Sequence, residues 1–302
     1  MNQDDATALP GESVIQAEGW LPPWLVVIKP GIVALVVISA LCGMYIAGAG
    51  TPPSSSLALW TVFSIGLATA AAAALNNYID RDIDLIMRRT SGRPIPSGAL
   101  SPAPVIAFGL VASALSVGTA YEEINVLTSI LLAASIFIYV VVYTLWTKRR
   151  TPLATFLGGI GGALPPVIGY TAVHPVLDMR AFALFIIIFA WQHPHFWSLA
   201  LKYIEEYRAA GVNNHPVALG VEATKRRIAL WTAILAGVSA FPWAIGMAGG
   251  VYLAGAMALG IVNFAMAVAF LLSEAKLAMR IFFFSLVHLP ALYLLLLLDL
   301  KI

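Results

Sequence analysis

The sequence predicts an all-α polytopic membrane protein, a bundle of nine transmembrane helices around a central cavity. Three observations point to it. The 302-residue chain is 60% hydrophobic and only 11% charged, with a mean hydropathy of +0.88. A soluble domain carries about 25% charged residues, and no water-facing shell can be built from so few. The apolar residues gather into nine runs of roughly 19–24 residues, each able to cross a hydrocarbon layer at 1.5 Å per residue. The basic residues between the runs fall almost entirely on one side.

Disorder is excluded by the same composition, because it needs low hydrophobicity and high charge. A net charge of +2 offers no footprint for nucleic acid; the expected partner is the lipid bilayer. Cys42 stands alone, which excludes a disulfide within the chain and any multi-cysteine metal site.

Residues 1–20 are polar, with Asp4, Asp5, Glu12 and Glu18. They contain no basic segment leading into an apolar one, so the expectation is a mobile cytoplasmic tail and not a cleaved signal peptide. Residues 21–302 form one membrane domain. Its predicted spans are 26–49, 57–80, 103–121, 125–146, 152–172, 180–201, 228–246, 251–272 and 281–299. The fifth carries the run Gly158-Gly159-Ile160-Gly161-Gly162-Ala163, which suits close helix packing. Pro165-Pro166 predicts a kink in the same span.

Orientation follows from Lys and Arg. With the N-terminus cytoplasmic, the inner loops are 81–102, 147–151, 202–227 and 273–280. Lys29 flanks the first span on that side, and only Arg180 and Lys301 fall outside. The positive-inside rule is met at every turn, which places the C-terminus externally. Two of the inner loops, 81–102 and 202–227, are long, and long loops beside rigid spans are where sites tend to sit.

The second span ends Asn76-Asn77-Tyr78-Ile79-Asp80-Arg81-Asp82-Ile83-Asp84. Asn76, Asp80 and Asp84 recur every four residues, a drift of about 40° per step, so they share one helix face. Carboxylates one turn apart repel unless something positive lies between them. Oxygen donors of this kind suit Mg2+ or Ca2+. A solvated helix end with weak Asp–Arg pairs is the competing account. Against it stand Arg88, Arg89 and Arg93 just downstream. Carboxylates beside guanidiniums match a metal-bridged polyphosphate, the metal taking some oxygens and Arg others.

Lys148, Arg149 and Arg150 follow the fourth span behind Tyr143 and Trp146. They read either as interfacial anchors or as a second basic cluster for the same anion. The sixth span holds Trp191-Gln192-His193-Pro194-His195-Phe196-Trp197. Polar groups inside a membrane usually face a cavity or a partner. His193 and His195 diverge on a helix, so they make a poor bidentate metal pair. Either the neighbouring backbone satisfies them, or one of them contacts a substrate; His195, about one turn from the inner end, is the first choice. Lys202 to Arg208, with Glu206 and Tyr207, repeats the polar helix end more weakly. His174, His215 and His288 read as loop or packing residues.

The stretch from Asn76 to Asp84, continuing through Arg88-Arg89-Thr90, resembles the N-[DN]-x-x-D-x-x-x-D motif of the UbiA family of intramembrane prenyltransferases. Tyr143 to Thr151, Gly161 to Gly169 and Pro194-His195-Phe196-Trp197 resemble the branch of that family that farnesylates haem. The likeness runs from about Lys29 to the last span. It implies Mg2+-dependent transfer of a farnesyl group from farnesyl diphosphate to a vinyl group of haem B, consuming water and giving haem O and diphosphate.

The resemblance implies Asn76, Asp80 and Asp84 as metal ligands and catalytic residues. Arg88, Arg93, Lys148, Arg149, Lys202 and Arg208 would bind diphosphate, and His195 or His193 would meet the haem. It also implies a place in the cell inner membrane and, because terminal oxidases need haem O, haem A synthase or oxidase assembly proteins as partners. One departure stands out. Glu206 occupies a position where that branch usually has Asp before Tyr207, which argues against a second full metal site.

Two other enzyme classes and one non-enzyme class remain in view. Membrane CDP-alcohol phosphotransferases also use Asp helices, but they need a D-G-x-x-A-R stretch that Asp84-Leu85-Ile86 breaks. A family member acting on a quinone precursor or another aromatic acceptor lacks a use for Pro194-His195-Phe196-Trp197. A transporter would place its carboxylates near mid-membrane, not at the inner end of a span.

Overall fold

The computed structural model describes residues 22–273 and 277–301. The expected tail, residues 1–20, lies outside them. Among the described residues, nine helices are long and apolar enough to cross a membrane. They are Pro30–Ala47, Ser55–Ile79, Pro102–Glu123, Val126–Thr147, Ala154–Val173, Met179–Lys202, Val221–Ala244, Gly250–Leu271 and Ala278–Leu298. Each corresponds to one predicted span.

The surface is apolar while small and polar side chains are buried. Leu35, Leu59, Leu110 and Val251 face outward, whereas Thr61, Ser64, Ser116 and Thr128 are buried between helices. That inversion is what lipid demands, since helices in a bilayer gain from close packing and internal hydrogen bonds. Ser129 Oγ, for example, donates to the Val117 carbonyl across the third and fourth spans.

Several spans are not plain α-helices, and each departure has a local cause. A short helix, α1 (Pro23–Ile28), precedes the first span, α2 (Pro30–Ala47). Lys29 joins them in a left-handed conformation, φ 52°. A residue before proline is pushed out of the right-handed helical region, and here it turns the chain. The second span is α3 (Ser55–Ile79), continued by the short α4 (Arg81–Ile86). The third is α5 (Pro102–Glu123).

The fourth span begins as α6 (Val126–Phe137) and widens into a π-helix over Ile138–Thr147. Its last bond runs from Lys148 N–H to the Tyr143 carbonyl, five residues back. Such widened turns cluster at functional sites. The fifth span breaks into α7 (Ala154–Gly162) and α8 (Pro165–Val173), because Pro165 and Pro166 lack the N–H groups that would continue the ladder.

The sixth span, α9 (Met179–Lys202), carries Pro194 without breaking. The loop after it folds into α10 (Ile204–Ala209) and α11 (His215–Leu219). The seventh span, α12 (Val221–Ser239), starts seven residues before the apolar run. Hydropathy assigns Lys225, Arg226 and Arg227 to a loop, but backbone hydrogen bonds extend the helix through them. Lys225 is buried there, its ammonium on Glu222 and on the Ser273 carbonyl. After a four-residue helix, α13 (Phe241–Ala244), come the last two spans, α14 (Gly250–Leu271) and α15 (Ala278–Leu298).

The second span packs on the third, the first on α8, the seventh on the sixth and eighth, and the ninth on the sixth and eighth. The crossing of α2 and α8 is the tightest. A Cβ at Gly43 would collide with the Pro166 carbonyl, and one at Gly169 with the Ala40 carbonyl. The two backbones touch there because each lacks a side chain at the contact.

Candidate active site

The site is built on the C-terminal end of the second span. Asp80 ends α3, yet the ladder continues through it. Asp80 N–H donates to the Asn76 carbonyl at 2.9 Å, and Asp84 N–H to the Asp80 carbonyl at 2.8 Å. The four-residue spacing therefore holds across the joint. Asn76, Asp80 and Asp84 are 4%, 0% and 2% exposed, while the Asp82 side chain, on the other face, is 61% exposed.

Burying two carboxylates costs several kcal/mol each unless they are paired. Here each has its own cation. Lys148 Nζ lies 2.5 Å from Asp80 Oδ2, and Arg93 Nη1 2.7 Å from Asp84 Oδ2. Asn76 ties the set together. Its Nδ2 donates to Asp80 Oδ2 at 2.7 Å and to Thr144 Oγ1 at 3.2 Å, and its Oδ1 accepts from Lys29 Nζ at 3.1 Å. The irregular segments aim these groups. The turn at Lys29 delivers one ammonium, and the π-helix delivers Thr144 and, just past its end, Lys148.

The remaining basic residues are spread differently. Arg149 turns to the outer side of α4 and grips Asp82 with two bonds of 2.6 Å. That grip holds the Asp82 carboxyl below its ordinary range. Arg208 pairs with exposed Glu205, away from the buried face. Arg88 and Lys202 are exposed. Lys202 lies 5.2 Å over the Tyr203 ring, and Arg89, on the opposite loop, 5.3 Å from the same ring.

Glu206 Oε2 accepts from the Arg89 N–H at 3.3 Å, and Tyr207 packs among Ile83, Met87, Ala210 and Val212. The two long loops, 81–102 and 202–227, thus close against each other. Glu206 stitches them together.

The histidines part company. His193 Nδ1 lies 2.7 Å from the Phe189 carbonyl, and its ring stacks on Trp231 at 3.8 Å between centroids. His195 Nδ1 bonds Ser285 Oγ at 2.7 Å, with its ring stacked between Trp191 and Phe282. His195 therefore joins the sixth span to the ninth, and His193 faces the seventh.

Sequence reasoning passed over three participants. Lys29 was read only as a flank, although a Lys-Pro pair at the inner end of a span was its signal. Thr144 carries no signal of its own. Tyr143 was read as an interfacial belt, but it is half-buried, with its ring against Gly158, where a Cβ would lie 2.6 Å from it.

The donor set fits a hard divalent cation. Asp80 Oδ1 is buried with no hydrogen-bond partner among the described residues, and the groups able to ligate a metal, on Asn76, Asp80 and Asp84, offer oxygen. No group of three or more His, Cys, Asp or Glu is gathered among the described residues. A metal held here would take the Asp80 and Asp84 carboxylates and Asn76, and complete its shell with oxygens from outside the protein, a habit of Mg2+.

Comparison with known proteins identifies the family. The UbiA prenyltransferase family matches residues 36–289. A protein of Aquifex aeolicus named Protoheme IX farnesyltransferase is 42% identical over 93% of this chain and 96% of its own. One of the same name from Neorickettsia sennetsu is 40% identical over 95% of both chains. A digeranylgeranylglyceryl phosphate synthase structure superposes with a TM-score of 0.78 at 17% identity, covering 92% of this chain and 97% of that one. A UbiA homolog from Archaeoglobus fulgidus, bound to GPP and Mg2+, gives 0.62 at 18% identity, covering 91% and 99%. The buried Asn76–Asp80–Asp84 face thus sits in a fold shared with these solved structures, and the chain belongs to the UbiA prenyltransferase family.

Proposed function

We propose that the protein transfers a farnesyl group from farnesyl diphosphate to a vinyl group of haem B, with addition of water, giving haem O and diphosphate. The observation that carries this reading is the buried face of Asn76, Asp80 and Asp84 with Lys29, Lys148 and Arg93 gathered on it, in a chain 42% identical to a protoheme IX farnesyltransferase.

The chemistry follows from those residues. Diphosphate leaves an allylic carbon only if its growing negative charge is met by fixed positive charge. Lys148 and Arg93 supply donors preorganised by the carboxylates they pair with, and Lys29 one held by the Asn76 amide oxygen. Mg2+ held by Asn76, Asp80 and Asp84 would add Lewis-acid stabilisation of the same oxygens. Asp80 and Asp84 keep the cations in place before substrate enters. The Tyr139 and Tyr143 rings, 5.7 Å apart on the π-helix, wall the site with aromatic faces that favour an allylic cation and exclude water. The loop clasp of Arg89, Tyr203 and Glu206 covers the inner side.

This reading places the diphosphate site at the cytoplasmic face, the N-terminus cytoplasmic and the C-terminus external, in the cell inner membrane. Haem A synthase or oxidase assembly proteins would receive the product. The test is to incubate the purified protein in nanodiscs with haem B, farnesyl diphosphate and Mg2+, and to analyse the haems by mass spectrometry. A haem heavier by one farnesyl group and one hydroxyl group is expected, and a chelator should stop its formation. Unchanged haem B in the presence of Mg2+ would defeat the proposal.

A further inference from the structure

Between the sixth span and α11 lies a cluster of rings with polar edges that no described residue pairs with. His193 and Trp197 contact at 5.2 Å between centroids, and Trp197 and His215 at 4.6 Å. His193 and His215 are 0% and 2% exposed. His193 Nε2, Trp197 Nε1 and His215 Nε2 are all buried without a hydrogen-bond partner among the described residues. An unpaired buried polar atom costs about 1–3 kcal/mol. Three on touching rings mark a site for something that pairs with them.

The hydrogen-bond pattern says what each edge offers. His193 Nδ1 faces the Phe189 carbonyl, which can only accept, so Nδ1 carries the proton. His215 Nδ1 faces Thr224 Oγ1 at 3.1 Å, and that hydroxyl already gives its one proton to the Gly220 carbonyl. Nδ1 of His215 therefore donates as well. Burial pushes the His215 imidazole down to about 4, so it is neutral at physiological pH. Both Nε2 atoms then present lone pairs, and Trp197 presents an N–H. A metal ion would suit the imidazoles but would be repelled by the indole N–H. Water suits each edge, since it can donate to an imidazole and accept from the indole.

We propose that His193, His215 and Trp197 bind one water molecule, and that this is the water added to the acceptor. The inference rests on the farnesyl-transfer reading above. In that reaction the C–O bond of farnesyl diphosphate breaks with its electron pair leaving on diphosphate. The vinyl π pair of haem B bonds its terminal carbon to the farnesyl carbon, and positive charge appears on the inner vinyl carbon. The held water gives its oxygen lone pair to that carbon, and one of its protons passes to an imidazole Nε2. Without a positioned water, the cation loses a proton instead, and the coupled haem comes out one water lighter. His193 also stacks on Trp231 and meets Phe156 at 5.7 Å, so the water is held beside aromatic rings and away from bulk solvent.

The experiment compares His193→Gln, His215→Gln and Trp197→Phe with the wild type, reading the ratio of dehydrated to hydrated coupled haem by mass spectrometry. The dehydrated product should become prominent in all three, whatever the total yield. A wild-type ratio in all three overturns the water site. So does a folded Trp197→Phe protein that forms no coupled haem, because the ring would then act before hydration. A wild type that couples nothing defeats the farnesyl-transfer reading itself, which is a different result. A second measurement needs no variant. In nitrogen-15-labelled wild type, solid-state NMR should show the Nε2 atoms of His193 and His215 in contact with water protons, and the lack of such contact at both overturns the proposal.

Discussion

The ammonium of Lys148 lies 2.5 Å from a carboxylate that has no exposed surface, that of Asp80. The two residues are 68 positions apart and sit on the second and fourth spans. Neither charge is sustainable alone at that depth. Their pairing keeps a polar site folded and charged before substrate arrives.

Breaking the pair should therefore cost stability as well as activity. Lys148→Ala leaves Asp80 without its cation and should destabilise the protein by about 3 kcal/mol. Asp80→Ala should abolish farnesyl transfer while the protein still inserts. The double variant Asp80→Asn with Lys148→Met should regain stability but not activity. Thermal unfolding in detergent beside the haem mass assay checks all three; full activity in Asp80→Ala would remove it from the site.

Arg93 and Arg149 separate a site cation from a surface one. Arg93 bonds a buried carboxylate and Arg149 an exposed one. Arg93→Ala should lower kcat/KM by roughly 10²–10³, the usual effect of losing one preorganised donor. Arg149→Ala should change stability by less than about 1 kcal/mol and leave transfer within roughly tenfold. Steady-state kinetics on both variants decides, and equal losses would put Arg149 at the diphosphate.

His195 is expected to act through packing. His195→Ala removes the bond to Ser285 and the stack between Trp191 and Phe282. It should cost about 2 kcal/mol of stability. Affinity for a farnesyl diphosphate analogue should stay unchanged. Unfolding curves of His195→Ala, Ser285→Ala and the double variant would reveal coupling of about 1 kcal/mol.

The crossing of the first span with α8 has no room for a methyl group. Gly169→Ala and Gly43→Ala should each prevent a monodisperse protein from forming, because backbone atoms would have to move. Gly118→Ala, with nothing within 4 Å of its Cβ, should behave as wild type. Size-exclusion profiles of the three proteins give the comparison.

Orientation is open to direct measurement. A reporter after Arg93 or Gly211 should read cytoplasmic, and one after Gly249 or at the C-terminus external. An external signal at Arg93 would reverse the face from which diphosphate enters.

Much of this was legible in one dimension. Nine apolar runs of spanning length separated by basic loops define the bundle, because lipid enforces both length and hydropathy on each helix. The shared face of Asn76, Asp80 and Asp84 was legible too, since helical periodicity alone determines it and the ladder runs unbroken through Asp80.

Which cation belongs to which carboxylate was not legible. Lys148 and Arg149 are adjacent in the turn after the π-helix, yet Lys148 reaches the buried Asp80 and Arg149 the exposed Asp82. The turn at Lys29 depends on Pro30, but that it brings the ammonium to Asn76 depends on how the first two spans pack. His215 reads as a loop residue because contacts with Trp197 of the sixth span and Thr224 of the seventh bury it, and neither is visible in the local pattern. Periodicity along the chain determined the spans and the acidic face. Contacts between distant segments, which no local pattern encodes, decided what meets that face and which histidines stay unpaired.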